Sequence, residues 1–200
     1  MHHKDKKGFT LIEIIVTMAI ISLMLVVSVA NFRLGQQDDV VRFAASRVAD
    51  ALKTEQSDAI GGRIPSGKTV PPQSYGIHFT TNASPTLAQG VVFADNGTQN
   101  YRYDAPGEQI GTAVFDPNSN SPKIIVQSIC VGGSGPTCTG GSTQSNIDIT
   151  FASPSGAILF DGNQLANAPA QVVIVLQHTA TLKTKTVTIN RITGRIDAEY

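Results

Sequence analysis

The sequence predicts an α+β fold: a long N-terminal helix, apolar in its first half and amphipathic in its second, packed on a C-terminal antiparallel β-sheet domain. Three observations carry this reading. Residues 9–29 form an apolar run of 21 residues in which Glu13 is the only charge. Val41, Ala44, Ala45, Val48, Leu52 and Ala59 then recur at helical spacing, with Asp38, Arg42, Asp50 and Lys53 between them. From about residue 75 onward, short apolar or alternating runs are separated by Gly, Pro and Asn turn signals.

The apolar run comes first. At 1.5 Å per residue its helix is roughly 31 Å long, enough to cross the hydrocarbon core of a bilayer. The eight residues before it, Met-His-His-Lys-Asp-Lys-Lys-Gly, are short and basic. Lys4, Lys6 and Lys7 predict a cytoplasmic N-terminus and place everything after the helix outside. No small-residue cleavage site follows the apolar run before Arg33, unlike an ordinary secretory signal. A simple signal-anchor is the bland alternative. Against it stands Glu13, because a carboxylate in an apolar span costs about 2.5–3.5 kcal/mol at the bilayer centre. Such residues are normally paired and functional.

The string Gly8-Phe9-Thr10-Leu11-Ile12-Glu13, preceded by a basic leader and followed by an apolar helix, resembles the start of type IV prepilins and the related pseudopilins. The resemblance implies that a prepilin peptidase cuts between Gly8 and Phe9 on the cytoplasmic side and methylates the new amino group of Phe9. It also implies that Glu13, the fifth residue of the mature chain, pairs with the N-terminal amine of a neighbouring subunit. Many major pilins carry a proline in the middle of the apolar helix; this chain reads Ser28-Val29-Ala30-Asn31 there.

The amphipathic pattern continues to about Ile60, and Gly61-Gly62 is a stop signal. Residues 63–74 are rich in Pro, Gly and Ser and read as a linker. Strands are predicted where Tyr75, Ile77 and Phe79 alternate with Gly76, His78 and Thr80, and at 90–94, 123–130, 146–151, 157–160, 171–176 and 184–190. Asp95-Asn96-Gly97 predicts a hairpin turn; Pro154-Ser155-Gly156 and Asp161-Gly162-Asn163 predict further turns. One antiparallel sheet laid on the helix satisfies this pattern. The stretches 151–162 and 187–197 look like the C-terminal part of a GspH/FimT-type minor pseudopilin, which implies a closing strand pair with a Gly-Arg turn.

The remaining chemistry is sparse. Cys130 and Cys138 are separated by seven residues of a Gly-rich loop, and outside a membrane they would form a disulfide; two reduced thiols are the alternative. Their spacing is not that of a metal site. His78 and His178 are isolated on strands with no nucleophile motif beside them. Asp116, Asn118 and Asn120 have calcium-loop spacing, but Ser121 and Gln127 stand where that loop needs Gly and Glu, so a polar turn is the reading. Beyond Ala30 there are 12 basic and 13 acidic residues, which gives no general footprint for nucleic acid. Some FimT-like minor pilins bind DNA through a Gly-Arg-x-Arg motif; here the match is Gly194-Arg195-Ile196-Asp197, with Arg191 nearby and Asp197 in place of the second arginine.

The sequence therefore divides into a leader (1–8), a transmembrane and filament-core helix (9–30), an amphipathic helix (31–62) and a β-rich extracytoplasmic domain (63–200). The expected role is structural, not enzymatic and without cofactors: a minor pilin or pseudopilin of a type IV pilus or type II secretion pseudopilus. Its implied partners are other pilin subunits, the prepilin peptidase, an inner-membrane assembly platform and the membrane itself. A subunit that captures DNA or a surface is the alternative.

Overall fold

The computed structural model describes residues 9–81, 89–95, 100–104, 106–115, 124–163 and 169–199. The chain divides into two units, Met1–Asp39 and Val40–Tyr200. A single helix assignment, α1, runs Leu11–Gly61 and contributes to both.

In the first unit α1 begins with Thr10 as its cap. The Glu13 amide donates to the Thr10 carbonyl at 3.1 Å and reaches its Oγ1 at 3.3 Å, which satisfies one of the orphan donors of the first turn. Within the apolar segment, Thr17 Oγ1 donates to the Ile14 carbonyl and Ser22 Oγ to that of Met18. Both hydroxyls are thereby satisfied inside the helix, as hydrocarbon surroundings require.

In the second unit the predicted stripe is the buried one. Val41, Ala44, Ala45, Val48, Ala49, Leu52 and Ala59 are 0–3% exposed, while Arg42, Arg47, Asp50 and Lys53 face solvent. Four of the seven are alanines, and their small side chains let strands approach the helix backbone. The helix ends in a Schellman motif: Gly62, at φ +61°, donates to the Ala59 carbonyl, and Arg63 donates to that of Asp58.

The strands form two antiparallel five-stranded sheets rather than the one expected. β1 (Ser74–Thr80), β2 (Gln89–Asp95), β3 (Gln109–Val114), β6 (Asn146–Ala152) and β7 (Ala157–Phe160) make the first, in the order β3-β2-β1-β6-β7. β4 (Ile124–Val131), β5 (Ser142–Gln144), β8 (Gln171–His178), β9 (Thr184–Asn190) and β10 (Ile196–Ala198) make the second, in the order β10-β9-β8-β4-β5. All seven predicted strands are present, and β3, β5 and β10 are additional. Those three are short, polar or Gly-containing, so they carry little periodic signal. The linker ends at Gln73, since Ser74 already pairs with Ala152 and Asp95. Asn96 and Gly97 lie outside the described residues, and β2 is followed by its partner β3 only at Gln109. The predicted polar turn around Asp116–Asn120 also lies outside them.

One apolar cluster joins the helix stripe to both sheets, through Tyr75, Ile77 and Phe79 of β1, Ile147, Ile149 and Phe151 of β6, Ile174 and Leu176 of β8, and Val187 and Ile189 of β9. The opposite face of the first sheet is covered as well. Thr150 Oγ1 donates to the Tyr101 carbonyl, Asp95 Oδ2 accepts from the Tyr101 amide at 2.8 Å, and the Tyr103 ring lies 5.5 Å from that of the buried Phe93. Phe93 fits because its cross-strand neighbour is Gly76. A Cβ there would stand 2.7 Å from both the Phe93 ring and the Ile149 carbonyl.

Candidate functional site

The N-terminal segment is the first candidate. Leu11–Ser28 has a mean hydropathy of 2.6 and none of it is buried, so it is long and apolar enough to cross a membrane. Phe9, just before α1, is 80% exposed, and Glu13 in the first turn of that helix is exposed as well. None of the ion pairs among the described residues includes Glu13. Gly8 lies outside the described residues. Among the described residues the segment thus presents an apolar surface with one carboxylate that no ion pair includes; in an apolar span such a group is normally paired.

Cys130 and Cys138 are bonded to each other, with their Cα atoms 5.3 Å apart. The bond closes the Gly-rich connection between β4 and β5. Cys130 is fully buried beside Val173 and Val175 on the face of the second sheet away from the main core. The chains at Gly133 and Gly141 touch so closely that a Cβ on Gly141 would lie 2.4 Å from the Gly133 nitrogen. Replacing both cysteines by serine is expected to cost about 2.5 kcal/mol, the entropy of reopening so short a loop. Denaturant titration of the oxidised and double-serine chains measures the difference.

The C-terminal hairpin is built by Asn190, whose Oδ1 accepts from the amides of Ile192 and Thr193, and whose own amide donates to the Arg195 carbonyl. Thr193, Gly194 and Arg195 therefore close β9 onto β10. Arg195 Nε sits 2.6 Å from Asp197 Oδ2 in an exposed ion pair. Arg191 is half-buried and its amide donates to the Ala170 carbonyl. Of the two arginines considered for DNA, one is thus partly neutralised on the spot by the residue that departs from the Gly-Arg-x-Arg pattern.

Residues 3–29 match the family model of the prokaryotic N-terminal methylation motif. The motif is of the prepilin type, and it supports a type IV pilin-like protein. No curated protein and no solved structure matches the chain. A prepilin-type motif points to a structural protein that interacts with other pilins and with the prepilin peptidase. Together with the apolar helix, it is consistent with a membrane-anchored pilin.

Outside the prepilin-type motif, both strand histidines are held by hydrogen bonds within the fold. His78 Nδ1 lies 2.6 Å from Asp148 Oδ1, and its Nε2 lies 3.0 Å from Thr80 Oγ1. Asp148, only 4% exposed, also accepts from the Tyr103 amide. His178 Nδ1 accepts from the amides of Ala180 and Thr181, which shapes the turn into β9. Burial pushes up the carboxyl of Asp161, which accepts from the Asp148 amide.

Sequence reasoning missed Glu55. It falls on the buried stripe of α1, is 8% exposed, and its Oε2 has no hydrogen-bond partner among the described residues. Desolvation, then the neighbouring Asp58, push its carboxyl up to about 7, opposed by Arg63. The only available signal was positional: Leu52, Glu55 and Ala59 share the face at helical spacing, so a charge there had to be buried.

Proposed function

We propose that the chain is a prepilin matured into a minor pilin or pseudopilin of the GspH/FimT kind, a structural subunit of a type IV pilus or type II secretion pseudopilus. The observation that carries this reading is the methylation motif over residues 3–29, set on an apolar helix with a lone carboxylate at Glu13. Cleavage between Gly8 and Phe9 releases the leader and leaves Phe9 as the methylated N-terminus. The apolar segment stays in the inner membrane with its N-terminus cytoplasmic and the β-rich domain outside. Glu13 then pairs with the amine of the neighbouring subunit as the assembly platform adds it to the filament. The Cys130–Cys138 bond supports the outward placement, because disulfides persist in oxidising compartments.

Intact mass of the chain purified from membranes of a strain with the peptidase tests the processing step. The expected species lacks Met1–Gly8 and carries one added methyl group; retention of the leader contradicts the proposal. DNA capture gains no support of its own, since Asp197 pairs with Arg195 and reduces the charge available to a phosphate backbone.

A further inference from the structure

The face of the first sheet opposite the main core carries three side chains joined in one line. Thr80 Oγ1 lies 3.0 Å from Nε2 of His78, and His78 Nδ1 lies 2.6 Å from Asp148 Oδ1. The backbone creates this arrangement. His78 and Thr80 are two residues apart on β1, so they share a face. Asp148 stands directly opposite His78 in the pairing of β1 with β6. Exposure rises along the line: Asp148 is buried, the His78 side chain is 20% exposed, and Thr80 is open to solvent. The buried end is fixed from several sides. Asp148 Oδ2 accepts from the Tyr103 amide at 3.3 Å and lies 3.8 Å from Arg102 Nε, while the Asp148 amide donates to Asp161 Oδ1. The Tyr103 ring, its centroid 5.3 Å from that of His78, packs beside the imidazole.

We propose that Thr80 is a reactive nucleophile that takes an acyl group from an activated ester or thioester, with His78 as general base and Asp148 as the group that positions it. A carboxylate can only accept, so Asp148 holds the His78 proton on Nδ1. In the neutral ring Nε2 then keeps its lone pair and accepts from the Thr80 hydroxyl, the geometry that activates a hydroxyl for attack. Thr80 Oγ1 attacks the carbonyl carbon of the donor while its proton passes to Nε2. The new C–O bond forms, the bond to the alkoxide or thiolate breaks, and the leaving group takes the proton from His78. The product is an acyl ester of Thr80, and nothing is oxidised or reduced. Asn146, exposed and opposite Thr80 in the same strand pairing, puts its carboxamide on this face, where an N–H can meet the charge that builds on the carbonyl oxygen. An exposed hydroxyl at the end of a strand makes no demand on the rest of the donor, so the activated carbonyl alone is selected. The acyl group is transferred to the chain itself, which makes Thr80 a modification site on a subunit that remains structural.

The full chain in detergent micelles provides the test, treated at pH 8 with p-nitrophenyl acetate, quenched in acid and mapped by mass spectrometry. Thr143, exposed on β5, is the internal reference for an ordinary hydroxyl. Acetylation of Thr80 about a hundredfold faster than that of Thr143 is expected, the scale of general-base catalysis. Thr80→Ser should keep this reactivity, and His78→Gln should bring Thr80 down to the Thr143 rate. Asp148→Asn should slow Thr80 about tenfold or more while the Thr143 rate stays the same. Nitrogen-15 spectra of the His78 ring should show the proton on Nδ1 in the unaltered chain and moved to Nε2 in Asp148→Asn, a change that loss of packing alone does not produce. Equal rates at Thr80 and Thr143 in the unaltered chain overturn the proposal, however the variants fold. So does an undiminished Thr80 rate in His78→Gln or Asp148→Asn, or a His78 ring with its proton on Nε2 in the unaltered chain.

Discussion

Glu13→Ala is expected to insert into the membrane at least as well as the unaltered chain and to be nearly absent from sheared filaments. Insertion should not suffer, because the substitution removes a carboxylate from the apolar run. Its cost is about 2.5–3.5 kcal/mol at the centre of a span and smaller toward the end, where Glu13 is the third residue of α1. Assembly should fail for the opposite reason. If Glu13 meets the amine of a neighbouring Phe9 in a dry filament core, deleting it leaves a buried ammonium without its partner. Breaking such a pair costs about 3–5 kcal/mol, which corresponds to a hundredfold or greater loss of incorporation. Among the described residues no ion pair includes Glu13, which sits on a segment with every side chain exposed. Quantitative blotting of membrane and sheared fractions separates the two effects. Equal incorporation of Glu13→Ala would falsify the assembly role, and loss from the membrane fraction would assign Glu13 to insertion instead.

Glu55→Gln is expected to change how stability depends on pH. In the unfolded chain the Glu55 carboxyl titrates at its ordinary value, 4.5; in the folded chain burial and Asp58 push it up to about 7. The folded state therefore holds its proton more tightly. The sign follows from linkage: this contribution is fully present below pH 4.5, is lost as pH rises toward 7, and is flat above that. Over that window the loss amounts to about 3 kcal/mol, from 1.36 kcal/mol per unit. Glu55→Gln keeps the shape and removes the titration. Between pH 4.5 and 8 the unaltered chain should thus lose about 3 kcal/mol relative to the variant. Denaturant titrations of both chains across that range decide it. Parallel pH profiles would show that Glu55 is not held neutral by burial.

These two carboxylates illustrate what could be read from the sequence and what could not. Glu13 was legible because its surroundings are local: twenty uncharged residues flank it in the chain itself, so membrane physics singles it out without any fold. Glu55 was not, because its burial is created by strands far away in sequence. The same division holds for the cysteines. Their short spacing allowed a disulfide, but only the packing of Cys130 against Val173 and Val175 shows which face the bond seals. The histidines had no legible partners at all, since His78 meets Asp148 across a pairing of β1 with β6.

By itself the sequence determined the helix, the buried stripe on its second half, the seven stronger strands and the prepilin-type N-terminus. Each depends on a period or a charge pattern within one continuous stretch, where the physics acts between near neighbours. Only the tertiary structure decided that the strands divide into two sheets, and that β1 takes β2 and β6 while β8 takes β4 and β9. It also decided that Glu55 is buried and that His78 meets Asp148. Strand partners are chosen by complementary faces brought together from distant parts of the chain, and a strand's own period of two is the same whichever neighbour it finds.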